Sequence, residues 1–578
     1  MLGTFAVITN RNNRIATEKI KEIVINNNNE SSCHVVESEN YYIARNEKGR
    51  FCNDQVLYSD VHVCISLEGV ILNSKQLFKK YEVDNMTQLF LSCVNNNNLK
   101  MLLSELRGSF CGIVVAGERT YIFSDQFATK QFFYAHVGNS LIVSSEVNAI
   151  VDYFRIEDFN YSVDEIGIYS LLSYAFMYQD HTLVKEIKRL REGELLQYEG
   201  DKIYKDSYYR IHQEEVRIKL DDAIERIDEL FTEAVKLQIN KNNEYCYDNA
   251  IPLSAGMDCR MTAFVANKIA DVPILNFSYS EYGQEDCVTP GLMARKLGNK
   301  WLFKSLDNGL DMLNIQESID IADGLIYYLW PAQLNDFLRY VNTNNWGIVH
   351  TGVIGDVVLG CWHNKKDGPY SLGDGAVSSK LIPKLAEYLT ETEKNAPSYE
   401  IGMFQNRAIN GACMGYSTTF RRYCIDMSPF MNVDFFDFCL SLPFKYRKDH
   451  YIYYEWVKKK YPDAAKFKHN GITINGEHYI NIKGNRVRIA AIKDLVLREL
   501  KRTQRDLLKV DYGMNPQEAW INTNAELRKT MDRFFNENKH SLSKWPEIYE
   551  DACHLYNNGN AIEKSMAISA VGSVGRLI

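Results

Sequence analysis

Two short segments carry residue types that could handle a phosphate. The first is Ala250-Ile251-Pro252-Leu253-Ser254-Ala255-Gly256-Met257-Asp258-Cys259-Arg260, an apolar run ending in a tight turn of small residues that opens an amphipathic stretch. Such a turn aims backbone N–H groups and a helix N-terminus at an anion. Ser254 adds a hydroxyl, and Asp258 could hold a magnesium ion. The plain alternative for these residues is a strand-to-helix connection whose small side chains serve packing. The second segment runs from Trp346-Gly347-Ile348-Val349-His350 through Thr351-Gly352-Val353-Ile354-Gly355-Asp356 to Gly360. Here an apolar run again ends in small residues and presents an aspartate beyond the turn. Ligands of an open parallel sheet bind outside the carboxyl ends of its strands, so Ser254, Asp258 and Asp356 could converge on one pocket.

The elements that must position these residues are legible on both sides. From about Lys219 the period changes: LDDAIERIDELFTEAVKLQI sets Ile224, Ile227, Leu230, Phe231, Ala234 and Leu237 on one helical face. Beyond it, AIPLSA, VPILNFSY and WGIVHTG alternate with CRMTAFVANKIA and VTPGLMARKLG, as in a parallel sheet with helices on its faces. From about Gly373 onward the chain reads as mainly helical. The preceding part carries strand signals in TFAVITN, VHVCISLEGVILN, FCGIVVAG, TYIFSD, QFFYAHVG and LIVSSE, and closes on a hairpin turned at Glu199-Gly200-Asp201. The reading is of two domains: a sheet-rich 1–210, and a 211–578 unit that is α/β with a helical C-terminal part.

With 578 residues the chain exceeds one ordinary core, and 46% hydrophobic and 24% charged residues are globular values. A net charge of −8 argues against a nucleic-acid partner. No window approaches the roughly 20 apolar residues that span a bilayer, so no membrane partner is expected. The 13 cysteines are scattered, with no C-x-x-C pair, and Cys361 and His363 lack companions at metal-ligand spacing. A soluble, cytoplasmic protein acting on small molecules or peptides is expected; a homodimer stays open.

The two chemical segments resemble the signatures of asparagine synthetases. LSAGMDCR is similar to their pyrophosphate loop Leu-Ser-Gly-Gly-x-Asp-Ser, and HTGVIGDVVLG to their Ser-Gly-x-Gly-x-Asp-Glu element, in the same order and at the same separation. Ser428-Pro429-Phe430-Met431-Asn432 resembles the family's Pro-Phe-Leu-Asp, with SLPFKYR following. Earlier, GSFCGIVVAGERTYIFSDQFATKQFFY and SSEVNAI resemble its amidotransferase domain. The likeness covers about residues 1–480. It implies an Ntn-type αββα sandwich domain, then an ATP-pyrophosphatase-like (adenine nucleotide α-hydrolase-like) domain. It also implies ATP and Mg2+ as cofactors and a small-molecule or peptide substrate that carries a carboxylate. Carried over, Ser254 and Gly256 hold pyrophosphate oxygens, and Asp258 and Asp356 position magnesium. Leu253, Tyr279 and Gly352 border the adenine, with Thr351 beside them. Glu285 and Asp286 stand where the family often keeps an acid, though acids at a helix start account for them equally. The family's catalytic lysine precedes a glycine-containing loop. Here Ala464 to Gly471 is the matching stretch, with Lys466 and then Lys468 as candidates and a solvated basic turn as the alternative.

The departures are as informative. Position 2, where the glutaminase half needs a cysteine nucleophile, is Leu2, and Glu68 and Val70 replace residues that would grip glutamine. Glutamine hydrolysis is therefore expected to be absent, as in β-lactam synthetases, carbapenam synthetase and lasso-peptide cyclases. Val353 matches neither the tyrosine of β-lactam-forming members nor the glutamate of asparagine synthetases. Ala255 adds a methyl where the backbone should approach phosphate, and Cys259 replaces a hydroxyl with a weaker donor. The expectation is an ATP-dependent, AMP-forming amide synthetase that uses an amine rather than glutamine. An ammonia-dependent asparagine-synthetase-like enzyme and a non-catalytic nucleotide-binding scaffold are the alternatives. Sulfur transfer or tRNA modification is disfavoured by the acidic charge and the missing cysteine pairs.

Overall fold

The structure, a computed structural model, describes residues 3–9, 20–21, 23–24, 32–47, 49–360, 362, 368–469, 471–476, 479–482, 485–489 and 514–578. The first part of the chain forms β1 (Gly3–Thr9), β2 (Ser32–Glu37), β3 (Tyr41–Glu47), β4 (Val56–Ser59), β5 (Val63–Ile71), β6 (Gly108–Ala116), β7 (Arg119–Ser124), β8 (Phe133–Val137), β9 (Ser140–Ser144), β10 (Ile187–Arg189), β11 (Glu194–Glu199) and β12 (Lys202–Ser207). These make two antiparallel six-stranded sheets, ordered β10-β8-β9-β1-β3-β2 and β12-β11-β7-β6-β5-β4. The period-two alternation of side chains explains how they stack. On β1, Ala6 and Ile8 face Ile113, Ile122 and Leu196 of the other sheet. Phe5 and Val7 point the opposite way, into a core with Ile150, Phe154, Ile168 and Leu172. Those residues belong to helices α4 (Val147–Ile156) and α5 (Glu165–Tyr174). On the outer face of the second sheet, Ile65, Leu67 and Phe110 meet Leu77, Leu89 and Leu102. These come from α1 (Ser74–Tyr81), α2 (Met86–Asn95) and α3 (Leu99–Glu105). The result is a helix–sheet–sheet–helix sandwich. Its closing hairpin turns through Gly200 and Asp201, both left-handed at φ 56° and 60°, which matches the twist of the flanking strands.

Helix α6 (Leu220–Glu244) leads into a five-stranded, wholly parallel sheet of β13 (Asp248–Pro252), β14 (Leu275–Ser280), β15 (Lys300–Ser305), β16 (Trp346–His350) and β17 (Ile425–Met427). Its order is β15-β14-β13-β16-β17. The chain thus winds outward from β13 to β15, returns, and winds the other way through β16 to β17. Helices α7 (Met257–Ile269) and α8 (Glu285–Leu297) are the first two crossovers, and α9 (Leu329–Leu338) precedes β16. After β16 come α10 (Gly355–Val358), α11 (Met414–Phe420), α12 (Tyr451–Lys460) and α13 (Ala561–Leu577). Among the described residues no helix is long and apolar enough to cross a membrane.

The two halves are joined through buried polar contacts. Lys241 of α6, 1% exposed in its side chain, pairs with Asp54 at 3.0 Å and donates to the Ser74 hydroxyl at 3.0 Å. Asp323 accepts hydrogen bonds from the Val147 and Asn148 amides at 2.7 and 3.1 Å, and so supplies from the second half the N-terminal cap that α4 lacks in its own sequence. Arg50 donates to the carbonyls of Trp346 and Thr343 at the start of β16. The most C-terminal helices lie on the first domain: Ile168 and Leu172 of α5 share a core with Met566, Ile568 and Val571 of α13.

Candidate functional site

Strands β13 and β16 are neighbours from which the chain departs in opposite directions, so a crevice opens at their carboxyl ends. The loops leaving both strands line one cavity of about 280 Å3 there. From the first loop come Leu253, Ser254, Gly256, Asp258 and Cys259, and from the second Thr351, Gly352, Val353 and Ile354. Tyr279 at the end of β14 and Asp286 of α8 close one side. Tyr416 of α11, Ala412 of the wide-wound helix Phe404–Cys413, and Met514 close another. The structure therefore brings together the sequence candidates Leu253, Ser254, Gly256, Asp258, Tyr279, Thr351 and Gly352.

Local geometry explains why small residues recur. A Cβ on Gly352 would stand 2.3 Å from the Cys259 nitrogen, and one on Gly355 would stand 2.7 Å from the Asp258 carboxylate. Glycine at both positions is what lets the second loop press onto the first. Ile354, between them, is left-handed at φ 66°. That conformation in a β-branched residue stores strain of about 1–3 kcal/mol. Helix α7 begins at Gly256 without a side-chain cap, leaving its first-turn amides unclaimed by side chains at the cavity wall. The three preceding amides are engaged: Ser254 N donates to Cys259 Sγ at 3.0 Å, Ala255 N to Asp286 Oδ1 at 2.8 Å, and Gly256 N to Ser254 Oγ at 3.0 Å. Asp286 is thus bound to the loop rather than idle at a helix start. Glu285 accepts from the Gly471 amide at 3.4 Å.

Asp258 accepts a hydrogen bond from the Tyr453 hydroxyl of α12 at 2.9 Å. Burial and then the Asp356 charge push its carboxyl well above the ordinary range, and the Tyr453 bond only partly opposes this. Asp356, second residue of α10, is exposed and does not line the cavity, yet its charge is felt at Asp258. Two carboxylates held close enough to repel suit a shared divalent cation. Among the described residues no group of three or more His, Cys, Asp or Glu side chains could hold a metal ion, so further ligands would have to be phosphate and water oxygens.

The two lysines are placed differently. Lys466 is 67% exposed in its side chain and pairs with Asp463 at 2.6 Å. Lys468 is exposed as well, and neither lines the cavity. Their segment is nevertheless tied to the loop that follows β13 by Arg260, which is fully buried on α7. Its guanidinium donates to the carbonyls of Ala255 (2.7 Å), Ala464 (3.1 Å), Phe467 (3.0 Å) and Lys468 (3.0 Å). Four backbone carbonyls from both segments converge on one cation. Sequence reading missed Arg260, Tyr416 and Met514. A charged residue in the interior of an amphipathic helix pattern was the one available signal.

A second cavity, of about 110 Å3, lies between the two halves and is lined by Gly3, Glu68, Lys130 and Ser145, with Arg421 and Asp426 from the second half. Glu68 Oε2 accepts from Thr4 N (2.9 Å), Thr4 Oγ1 (3.0 Å) and Ser145 Oγ (2.9 Å), while Lys130 sits 2.7 Å from Oε1. Burial pushes the Glu68 carboxyl up, but Lys130 and the hydrogen bonds from Ser145 and Thr4 outweigh it and hold it below its ordinary range. Val70 is fully buried in the protein core. Leu2, Cys361 and His363 lie outside the described residues.

Comparison with known proteins bears on the first half. Residues 52–209 match the glutamine amidotransferase domain family. Among solved structures, the chain is similar to glutamine phosphoribosylpyrophosphate (PRPP) amidotransferase from B. subtilis complexed with ADP and GMP, with 10% identity over 52% of this chain and 81% of that one and a TM-score of 0.27. It is also similar to the structure of the allosteric regulatory enzyme of purine biosynthesis, with 10% identity over 53% of this chain and 74% of that one and a TM-score of 0.24. No curated protein matches. The protein is thus of mixed α/β build, with an amidotransferase-type domain joined to a parallel-sheet domain that carries its own crevice.

Proposed function

We propose that the protein is an ATP-dependent, AMP-forming amide synthetase of asparagine-synthetase type, which adenylates a substrate carboxylate and couples it to an amine without hydrolysing glutamine. The observation that carries this reading is the meeting of the Ser254–Asp258 and Thr351–Ile354 segments around one cavity at the switch point of a parallel sheet. The crevice domain is then of ATP-pyrophosphatase type. Leu253, Tyr279 and Gly352 border the adenine with Thr351. The Ser254 hydroxyl and the uncapped amides of α7 face the pyrophosphate. A carboxylate oxygen of the substrate attacks the α-phosphorus, and pyrophosphate leaves with the electron pair. Ser254 and the α7 dipole offset the charge gathering on the leaving group. Asp258 and Asp356 hold magnesium, which when bound neutralises phosphate charge during that transfer. Tyr453 orients the Asp258 carboxylate. Lys468, unlike Lys466, has no ion-pair partner among the described residues, and is the better candidate to reach the oxyanion of the amide-forming step. Glu68 is paired with Lys130 at the wall of that cavity, where a residue that grips glutamine would stand, so the amine comes from elsewhere.

One observation favours a second reading, a nucleotide-binding scaffold without turnover: the Ala255 amide already holds the Asp286 carboxylate, where an anion would otherwise sit. Isotope exchange between pyrophosphate and ATP, over a panel of amino acids and peptide C-termini with magnesium present, separates the two. A synthetase exchanges with at least one member. Absence of exchange across the panel, with nucleotide binding intact, selects the scaffold.

A further inference from the structure

In a parallel sheet helices cover both faces, and natural edge strands are short, covered or charged. β15 is the edge strand of the sheet in the second half and pairs with β14 alone among the described residues. Its first three residues are exposed, Trp301 at 37% and Leu302 at 41%. Successive side chains of a strand point to opposite faces, so apolar surface is bare on both sides of this edge. Trp301 is fixed in place: its indole N–H donates to Ser278 Oγ at 3.2 Å, and a Cβ on Gly291 of α8 would stand 2.8 Å from its ring. Beside Gly291, the outer face of α8 carries a row of Glu285, Val288, Leu292 and Arg295, spaced by three or four residues. Val288 and Leu292 are more than half exposed, and Arg295 is exposed as well. The row reads acid, apolar, apolar, base, which is its own complement when a second row runs the opposite way.

We propose that β15 and the outer row of α8 form a docking surface for a second copy of this chain, the two copies joining edge to edge into one ten-stranded sheet. A two-fold axis normal to the sheet at Leu302 and Phe303 runs β15 antiparallel to the partner's β15, which satisfies the backbone groups on both open edges. The same axis lays α8 antiparallel to the partner's α8 on one face of the joined sheet. Glu285 then meets Arg295 of the partner subunit, and Val288 meets Leu292 of the partner subunit. Charge agrees along the strands too, because Lys300 comes opposite the partner's Ser305, next to the partner's Asp307. Spacing fits as well. α8 packs over both β14 and β15, so its axis lies about one strand spacing, ~4.8 Å, from the two-fold. The two helices would thus stand about 10 Å apart, the distance at which helices pack. Asp286, the residue after Glu285, lines the crevice cavity, so the surface ends beside the candidate site.

The test is sedimentation equilibrium of the full chain without nucleotide, with amide hydrogen exchange read on the same samples. A species of twice the chain mass is expected, and amides of residues 300–305 should exchange more slowly as protein concentration rises. Arg295→Glu and Glu285→Arg should each weaken the dimer tenfold or more, and the double variant, which exchanges the two charges, should recover most of the loss. Leu302→Asp should give a monomer. A monomer at every concentration, a dimer that withstands both Leu302→Asp and Arg295→Glu, or a double variant no better than its parents would overturn the proposal. The exchange of residues 300–305 in the unaltered protein decides even if the variants do not fold: protection indifferent to concentration would show that the edge is not paired.

Discussion

Lys130 Nζ stands 2.7 Å from Glu68 Oε1, so an ion pair lines the cavity at the edge of the amidotransferase-type domain. Purified protein should release no glutamate from glutamine, and Leu2→Cys should not restore release while Glu68 and Val70 remain. A coupled glutamate assay checks this; release above the buffer rate, lost on mutation near the N-terminus, would refute it. Lys130→Met should strand a buried carboxylate and cost about 3–5 kcal/mol, read as a lower melting temperature. Glu68 is held below its ordinary pKa in the folded state. Its contribution is therefore fully present above its unfolded value near 4.5 and is lost as pH falls below that.

Asp258→Asn should abolish magnesium-dependent pyrophosphate exchange, by roughly a hundredfold or more, in line with loss of a key charge-stabilising contact. The same substitution should raise the melting temperature of the metal-free protein. Asp258 is pushed up by burial and by Asp356, so its ionisation opposes folding once pH exceeds the unfolded value of 3.8. The gain in melting temperature should thus be larger at pH 8 than at pH 4. Retained exchange in Asp258→Asn would remove the magnesium assignment.

Lys468→Met should preserve pyrophosphate exchange and slow product formation by roughly a hundredfold to a thousandfold, whereas Lys466→Met, which removes only the surface pair with Asp463, should leave both steps near normal. Equal rates in both variants would make the segment a solvated turn. Arg260→Met withdraws the donor from four carbonyls and should raise hydrogen exchange over residues 464–469 and 254–256 together. Exchange confined to one segment would show that Arg260 does not couple them.

Asp311 is 2% exposed, and its carboxylate has no side-chain hydrogen-bond partner among the described residues. Burial, then the charge of Asp336, raises it to about 7. The folded state prefers the protonated acid, so stability is fullest below pH 3.8 for this group and declines as pH rises through about 7. Asp311→Asn should therefore raise the melting temperature at pH 8 and leave it nearly unchanged at pH 4. A pH-independent effect would show that the gain came from packing.

Much of this architecture was legible because it is periodic. The alternation in TFAVITN and VHVCISLEGVILN became β1 and β5, and the apolar face from Ile224 to Leu237 became the heart of α6. The crevice loops were legible because small residues after a buried strand have few uses. β17 was not: three residues in Cys424-Ile425-Asp426-Met427 are too short for a period, and their pairing with β16 is fixed by contacts remote in sequence. The cavity-lining Asp426 was hidden for the same reason. The lysine segment was read by position alone, which could not reveal that Lys466 turns to Asp463. Nor could any local pattern disclose Arg260 as a bond between distant loops, or the left-handed Ile354, whose residue type argues against that conformation.

The packing of α13 on α5 has a consequence in time. Ile168 and Leu172 find Met566, Ile568 and Val571 only after hundreds of intervening residues have been made, and Tyr161 donates to the Leu577 carbonyl at 2.6 Å. At synthesis rates of about 5–20 residues per second, the sandwich waits on the order of tens of seconds with that helical face bare. The amidotransferase-type domain is thereby sealed late although it is synthesised first, and nascent chains should be most prone to chaperone capture through it.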